Sequence, residues 1–188
     1  MISKVLRGLV AILAVAGVVV SVLALRVHNM DPGLAPPCAV SEHWDCGAVN
    51  HSRYAVFPPR MFDEDPASKA VHIPVSELGI FGYSLIAIFA LLGRWWIVLQ
   101  LAEVGFFAAG FLSYIEAFVL QKWCIYCVWS QGLVAGILLL TIVAAVARHR
   151  EEGRGKSVRR NQCVRASSLP SPLTPLPCLF SVGLSHGN

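Results

Sequence analysis

Four uncharged apolar runs dominate this chain and leave few folds open to it. Gly8 to Leu25 holds 18 residues between Arg7 and Arg26. Leu78 to Gly93 holds 16 and stops at Arg94, with Val75 and Ser76 available to extend it. Trp95 to Leu120 is interrupted only by Glu103 and Glu116, and Ile125 to Ala147 runs 23 residues before Arg148. A helix needs about 20 apolar residues to cross a bilayer's hydrocarbon layer, and it satisfies its own backbone polar groups there. The runs predict an all-α membrane protein, a bundle of four transmembrane helices over about 8–25, 76–93, 95–120 and 125–147. Only 14% of residues are charged and the mean hydropathy is +0.64, against about 25% charged in soluble domains. That balance excludes whole-chain disorder and an ordinary nucleic-acid module.

The first run follows Lys4 and Arg7, as a signal peptide would. It exceeds the usual h-region of about 7–15 residues, however, and exits through Leu23-Ala24-Leu25-Arg26 without an A-x-A site. A retained helix is expected. With the N-terminus inside, ten Lys and Arg fall on the cytoplasmic side, seven of them from Arg148 to Arg165, against five outside. The positive-inside rule then puts both termini in the cytoplasm. The +4 net charge is a topology signal. The segment 26–75 becomes a large extracytoplasmic loop between the first two helices, and a tight Gly93-Arg94 turn joins the second to the third. Residues 1–150 form the membrane domain, and 151–188, basic and then Ser/Pro-rich, are expected to be a disordered cytoplasmic tail.

Four of the six cysteines fall on the outer side of this topology. Cys38 and Cys46 lie in the loop, and Cys124 and Cys127 open the fourth helix after Gln121-Lys122-Trp123. Cys163 and Cys178 sit in the tail, where thiols stay reduced. Cys124-Ile125-Tyr126-Cys127 is a C-x-x-C whose two sulfurs share one helix face. Unpaired N–H groups and the helix dipole favour a thiolate at such a start, as thiol exchange requires. A redox pair is the favoured reading. Structural disulfides remain open, as does a zinc site combining these cysteines with Cys38 and Cys46, although zinc ribbons use paired C-x-x-C knuckles.

Taken together, the segments resemble the vitamin K epoxide reductase family, specifically its bacterial homologues. The resemblance rests on Cys38-x7-Cys46, on Cys46-Gly47-Ala48-Val49-Asn50-His51-Ser52-Arg53-Tyr54, on Ile73-Pro74-Val75-Ser76 leading into Leu78-Gly79-Ile80-Phe81-Gly82-Tyr83, and on Trp123-Cys124-Ile125-Tyr126-Cys127. It covers roughly residues 8–147. It implies four helices around a quinone in the bacterial inner membrane, with the catalytic face periplasmic. Cys124 and Cys127 would form the active disulfide, with Cys127 facing the quinone. Cys38 and Cys46 would be the shuttle pair, reduced by a periplasmic thioredoxin-like (DsbA-like) partner, with Cys46 exchanging onto Cys124. Ser52 would seat the loop over the pocket.

The animal enzymes bind vitamin K through an asparagine and a tyrosine at the positions of Leu78 and Gln131, which points this chain to quinone rather than epoxide. Many bacterial relatives carry a fused thioredoxin-like domain where this chain has a short tail, so a separate donor protein is expected. Residues 58–71 resemble an insertion. The alternatives are a vitamin K epoxide or quinone reductase, and a non-enzymatic four-span protein stapled by structural disulfides.

Phe81, Tyr83, Tyr126, Ser52 and Asn50 are the candidate quinone contacts, with Tyr54 behind them. Acids within a span default to a functional reading. Here Glu103 is the candidate for proton handling, and Glu116 is expected to pair with Lys122 at the interface. Trp95, Trp96, Trp123 and Trp129 read as an interfacial belt, and His28, His43, His51 and His72 as solvated side chains. No metal site is expected.

Overall fold

The computed structural model describes residues 2–31, 33, 36, 38–61 and 71–167. The acidic cluster at 63–65 and the chain from 168, with Cys178, lie outside them. Helix α1 spans Ile2–His28, the short α2 Cys46–Asn50, α3 Val75–Leu91, α4 Trp95–Tyr114 and α5 Ile125–Ser167. A π-helical turn, Ile115–Leu120, continues α4. Strands β1 (Val56–Phe57) and β2 (Ile73–Pro74) pair antiparallel, Val56 opposite Pro74, and so close the base of the loop. Three stretches, Lys4–His28, Trp95–Leu120 and Ile125–Arg148, are long and apolar enough to cross a membrane, and α3 is a shorter apolar helix.

The helices are apolar on every side, and this is what separates them from soluble ones. On α1, Val5, Leu9, Ile12, Val15 and Val19 form an exposed stripe at helical spacing, while Val10 and Ala14 are fully buried. The exposed stripe is surface that lipid, not water, would solvate. The buried face joins Tyr83, Ile86 and Ala90 of α3, Val98 and Ala102 of α4, and Val134 and Ile137 of α5 in one core. Small residues bring α1 and α3 close, as is usual between membrane helices. A Cβ on Gly17 would lie 2.5 Å from the Tyr83 ring, and one on Gly79 would lie 2.7 Å from the Ser21 hydroxyl.

Helix α3 ends where the sequence places the turn. Gly93 adopts φ +73°. Arg94 N–H donates to Phe89 O and Gly93 N–H to Ala90 O, both at 3.0 Å. This is a Schellman cap, and it needs a residue that tolerates the left-handed region.

The chain divides into two units, Met1–Ala145, which holds the site below, and Val146–Asn188. The last helix departs from expectation, because 151–167, expected to begin a disordered tail, is helical instead. The Arg, Lys, Glu and Gln of this stretch are strong helix formers, so loss of hydrophobicity ends a membrane span without ending the helix. Trp95 also departs. Only 5% of it is exposed, in the core, whereas Trp96 and Trp129 remain exposed as an interfacial belt would have them.

Candidate functional site

The loop folds back onto the segment just before the C-x-x-C. Trp123 N–H donates to His43 O at 2.7 Å, and Asp45 N–H donates to Trp123 O at 3.1 Å. The Trp44 and Trp123 rings lie 6.3 Å apart. Asp45 then caps α2, its carboxylate accepting Ala48 N–H at 3.0 Å, as an N-cap aspartate does. Capping fixes Cys46 at the first position of α2, fully buried. It is bonded to Cys38 in a disulfide with a Cα–Cα distance of 5.8 Å. Cys38 is the less covered partner, though only 6% exposed.

Two of the histidines, His28 and His51, hold the loop around α2, while His43 is exposed as expected. His51 sits with Nδ1 2.9 Å from Gly47 O and Nε2 3.0 Å from Met30 O. It stacks on His28 at 6.2 Å, whose Nδ1 meets Asn50 O. His72 reaches Pro58 O at 2.9 Å.

Cys124 and Cys127 are free thiols. The chain reaches them through Gln121, which takes the left-handed conformation (φ 52°) after the π turn. Cys124 precedes α5, and its carbonyl accepts Val128 N–H at 3.1 Å. It is fully buried beside Cys38, Cys46, Val27 and Val49, with Cys127 packed against the cluster. All four sequence-predicted cysteines therefore share one end of the bundle. The Cys127 thiol donates to the Cys124 sulfur and, with the N–H groups of Cys127 and Tyr126, holds Cys124 below the usual thiol range. Burial and the nearby Glu116 charge oppose this and are outweighed.

Asn50 links the two pairs. Its Nδ2 donates to Cys46 O at 2.9 Å and to Cys124 Sγ at 3.5 Å. A donor on a thiolate favours the charged form. Asn50→Leu should therefore raise the Cys124 pKa and slow its alkylation near neutral pH by about tenfold, since charge-assisted hydrogen bonds contribute about 1.5–3 kcal/mol. Iodoacetamide labelling of the Cys38–Cys46-oxidised protein across pH measures this. An unchanged profile would remove Asn50 from the site's electrostatics.

Beside Cys127 lies a cavity of about 380 Å³, within the range of small-molecule sites. Asn50, Ser52, Tyr54, Tyr83, Tyr126 and Cys127 are on its wall, together with Glu116, while Cys124 is not. The rest is largely aliphatic and glycine surface from α1, α3, α4 and α5. Leu78 and Val104 belong to this wall and are also 43% and 70% exposed, which places them at its mouth on the lipid-facing side. Tyr83 presents its ring to the cavity, its hydroxyl donating to Ser130 O at 2.7 Å.

Four of the five residues expected at the ligand wall are there. Phe81 is not, being 64% exposed and absent from the lining. Residues two apart on a helix point to opposite sides, so a helix that turns Tyr83 inward must turn Phe81 out.

The acids exchange places relative to expectation. Lys122 does not pair with Glu116. Its ammonium donates to Glu42 O, while Glu116 is 2% exposed and its Oε2 accepts Cys124 N–H at 3.0 Å. Glu103, the acid expected to handle protons, accepts from Gln100 at 3.4 Å and is absent from the cavity wall. Ser113 donates to Gln131 between α4 and α5. A carboxylate eight residues before Cys124 carries no spacing signal. Only the π turn and the left-handed Gln121 fold it back onto the cysteines.

A loop disulfide, a thiol pair under it and an apolar cavity against that pair, at one end of a bundle with three membrane-length helices, define a membrane redox protein. A match to the vitamin K epoxide reductase family covers residues 8–142, and the chain belongs to that family, whose members are oxidoreductases. No curated protein matched the chain.

Proposed function

We propose that this protein is a quinone-dependent thiol–disulfide oxidoreductase that reoxidises a thioredoxin-like, disulfide-forming protein. The division of the C-x-x-C carries the reading: Cys124 faces the loop disulfide and Cys127 faces the cavity. A partner thiolate opens Cys38–Cys46 at Cys38, the less covered sulfur. Cys46 then exchanges onto a Cys124–Cys127 disulfide and Cys127 leaves as a thiolate on the cavity wall; the partner's second thiol frees Cys38, which takes Cys46 back and releases Cys124. Such exchange proceeds through thiolate attack and mixed disulfides. A low Cys124 pKa suits it both as leaving group and as nucleophile.

The substrate chemistry fits the wall. A quinone ring is flat and apolar with two carbonyl acceptors, and few polar groups suffice to orient it. Asn50, Ser52, Tyr54 and Tyr126 supply them, and the mouth at Leu78 and Val104 would admit it from the bilayer. The absence of a polar side chain at Leu78 supports quinone over epoxide. We place four spans in the bacterial inner membrane with both termini cytoplasmic and the cysteines periplasmic, α3 spanning despite its 17 residues. The 16-residue apolar run from Leu78 and the excess of Lys and Arg beyond Arg148 support that arrangement.

Titration of the detergent-solubilised protein with dithiothreitol tests this reading against structural disulfides. The account expects mild reductant to open both pairs, with loss of quinone absorbance on adding a short-chain quinone. Bonds that resist reductant, with no quinone consumed, would overturn it.

A further inference from the structure

Among the described residues Glu116 is the one acidic side chain on the cavity wall, and the expected pair with Lys122 does not form. It is 2% exposed, its Oε1 has no hydrogen-bond partner among the described residues, and its carboxyl group lies beside the Cys127 thiol. Oε2 is fixed by Cys124 N–H at 3.0 Å, which holds the carboxyl group beside the thiol and on the cavity wall. An acid at membrane depth is costly and persists where it does something. The backbone is also unusual here, because Glu116 sits in the π-helical turn Ile115–Leu120, and such turns often mark functional sites.

Resting on the quinone reading above, we infer that Glu116 is a catalytic proton carrier between the Cys127 thiol and the quinone. Oxidation of the Cys124 and Cys127 thiols to a disulfide releases two electrons and two protons, and reduction of the quinone to quinol takes up both. The Cys127 S–H bond breaks as the Cys124–Cys127 bond forms. Its proton passes to Oε1 of Glu116 and from there to a quinone oxygen. The second proton, released to water when Cys124 ionised, returns from water to the other oxygen. The relay matters for the Cys127 proton because that thiol is packed between the loop cluster and the cavity wall.

Glu116→Gln isolates this role. The amide oxygen still accepts Cys124 N–H and the shape is kept, but the group no longer exchanges a proton. Wild-type protein and variant in lipid nanodiscs, pre-reduced at Cys124 and Cys127, are mixed with a short-chain benzoquinone and quinol formation is followed. In parallel, the rate at which dithiothreitol opens Cys38–Cys46 is measured. General acid–base groups contribute about 10²–10⁴-fold. The expectation is quinol formation slowed by about 10²-fold or more, with disulfide opening unchanged.

A variant that reduces quinone within about threefold of wild type would overturn the inference, since that is below the range such groups contribute. Equal losses in both assays would also overturn it, by making Glu116 a structural support for Cys124. Wild-type protein that consumes no quinone would instead sink the underlying functional reading, and the inference with it.

Discussion

Cys127→Ala will abolish quinone reduction while leaving Cys46 and Cys124 able to form a mixed disulfide. Of the two C-x-x-C sulfurs, only Cys127 is on the cavity wall, so its removal takes away the atom through which electrons would leave the protein. The drop should be at least on the order of a thousandfold, because removing a group that takes part in bond making costs that much or more. Cys124 meanwhile keeps Asn50 as a donor and its place against the loop disulfide. Its thiolate can attack Cys46 and release Cys38, and alkylating Cys38 then holds the Cys46–Cys124 bond, since no Cys127 thiol is present to resolve it from the other side. Non-reducing peptide mapping would find residue 46 linked to 124. Normal turnover, or no such linkage, would reverse the assignment of the two sulfurs.

Cys46→Ala should separate the two halves of the relay. Electrons from a protein partner must pass the loop pair, because Cys124 is fully buried beneath it. Dithiothreitol is small enough to bypass the loop and reduce a Cys124–Cys127 disulfide directly. Partner-driven quinone reduction should fall by about 10²-fold or more, whereas dithiothreitol-driven reduction should stay within about an order of magnitude of wild type, since access limits thiol exchange. If the loop disulfide were only a staple, both rates would fall together with thermal stability. The seat of the loop argues against that outcome. The Trp44–Trp123 bridge, the Asp45 cap and the His51 contacts with Gly47 and Met30 all remain when the disulfide is lost.

Features governed by local chemistry were readable from the chain. The α4 start follows from the apolar run after Arg94, and the turn before it from Gly93, whose left-handed cap few other residues accept. The four cysteines were legible as a set, and so were Asn50, Ser52, Tyr83 and Tyr126 at the cavity, because the family resemblance fixes their order. Phe81 and Tyr83 are close along the chain, but helical geometry sets them on opposite sides, and the residue types alone do not say which one faces inward. Glu116 was misread for the opposite reason. Its distance along the chain from Lys122 suggested a surface pair, but the π turn and Gln121 reverse the chain and deliver the carboxylate to Cys124. The helix through Ser167 was missed because hydropathy reports where a membrane span stops, and helix propensity does not stop with it.

The central claim is that electrons enter at the loop disulfide and leave through Cys127 to a membrane quinone. It is tested most directly by anaerobic mixing of a reduced thioredoxin-like protein with the wild-type enzyme in quinone-containing nanodiscs, counting partner dithiol oxidised and quinol formed. The account predicts one quinol for each partner dithiol, with no quinol from a Cys124→Ser and Cys127→Ser double variant. Partner oxidation without quinol, or quinol formed at the wild-type rate by that double variant, would contradict it.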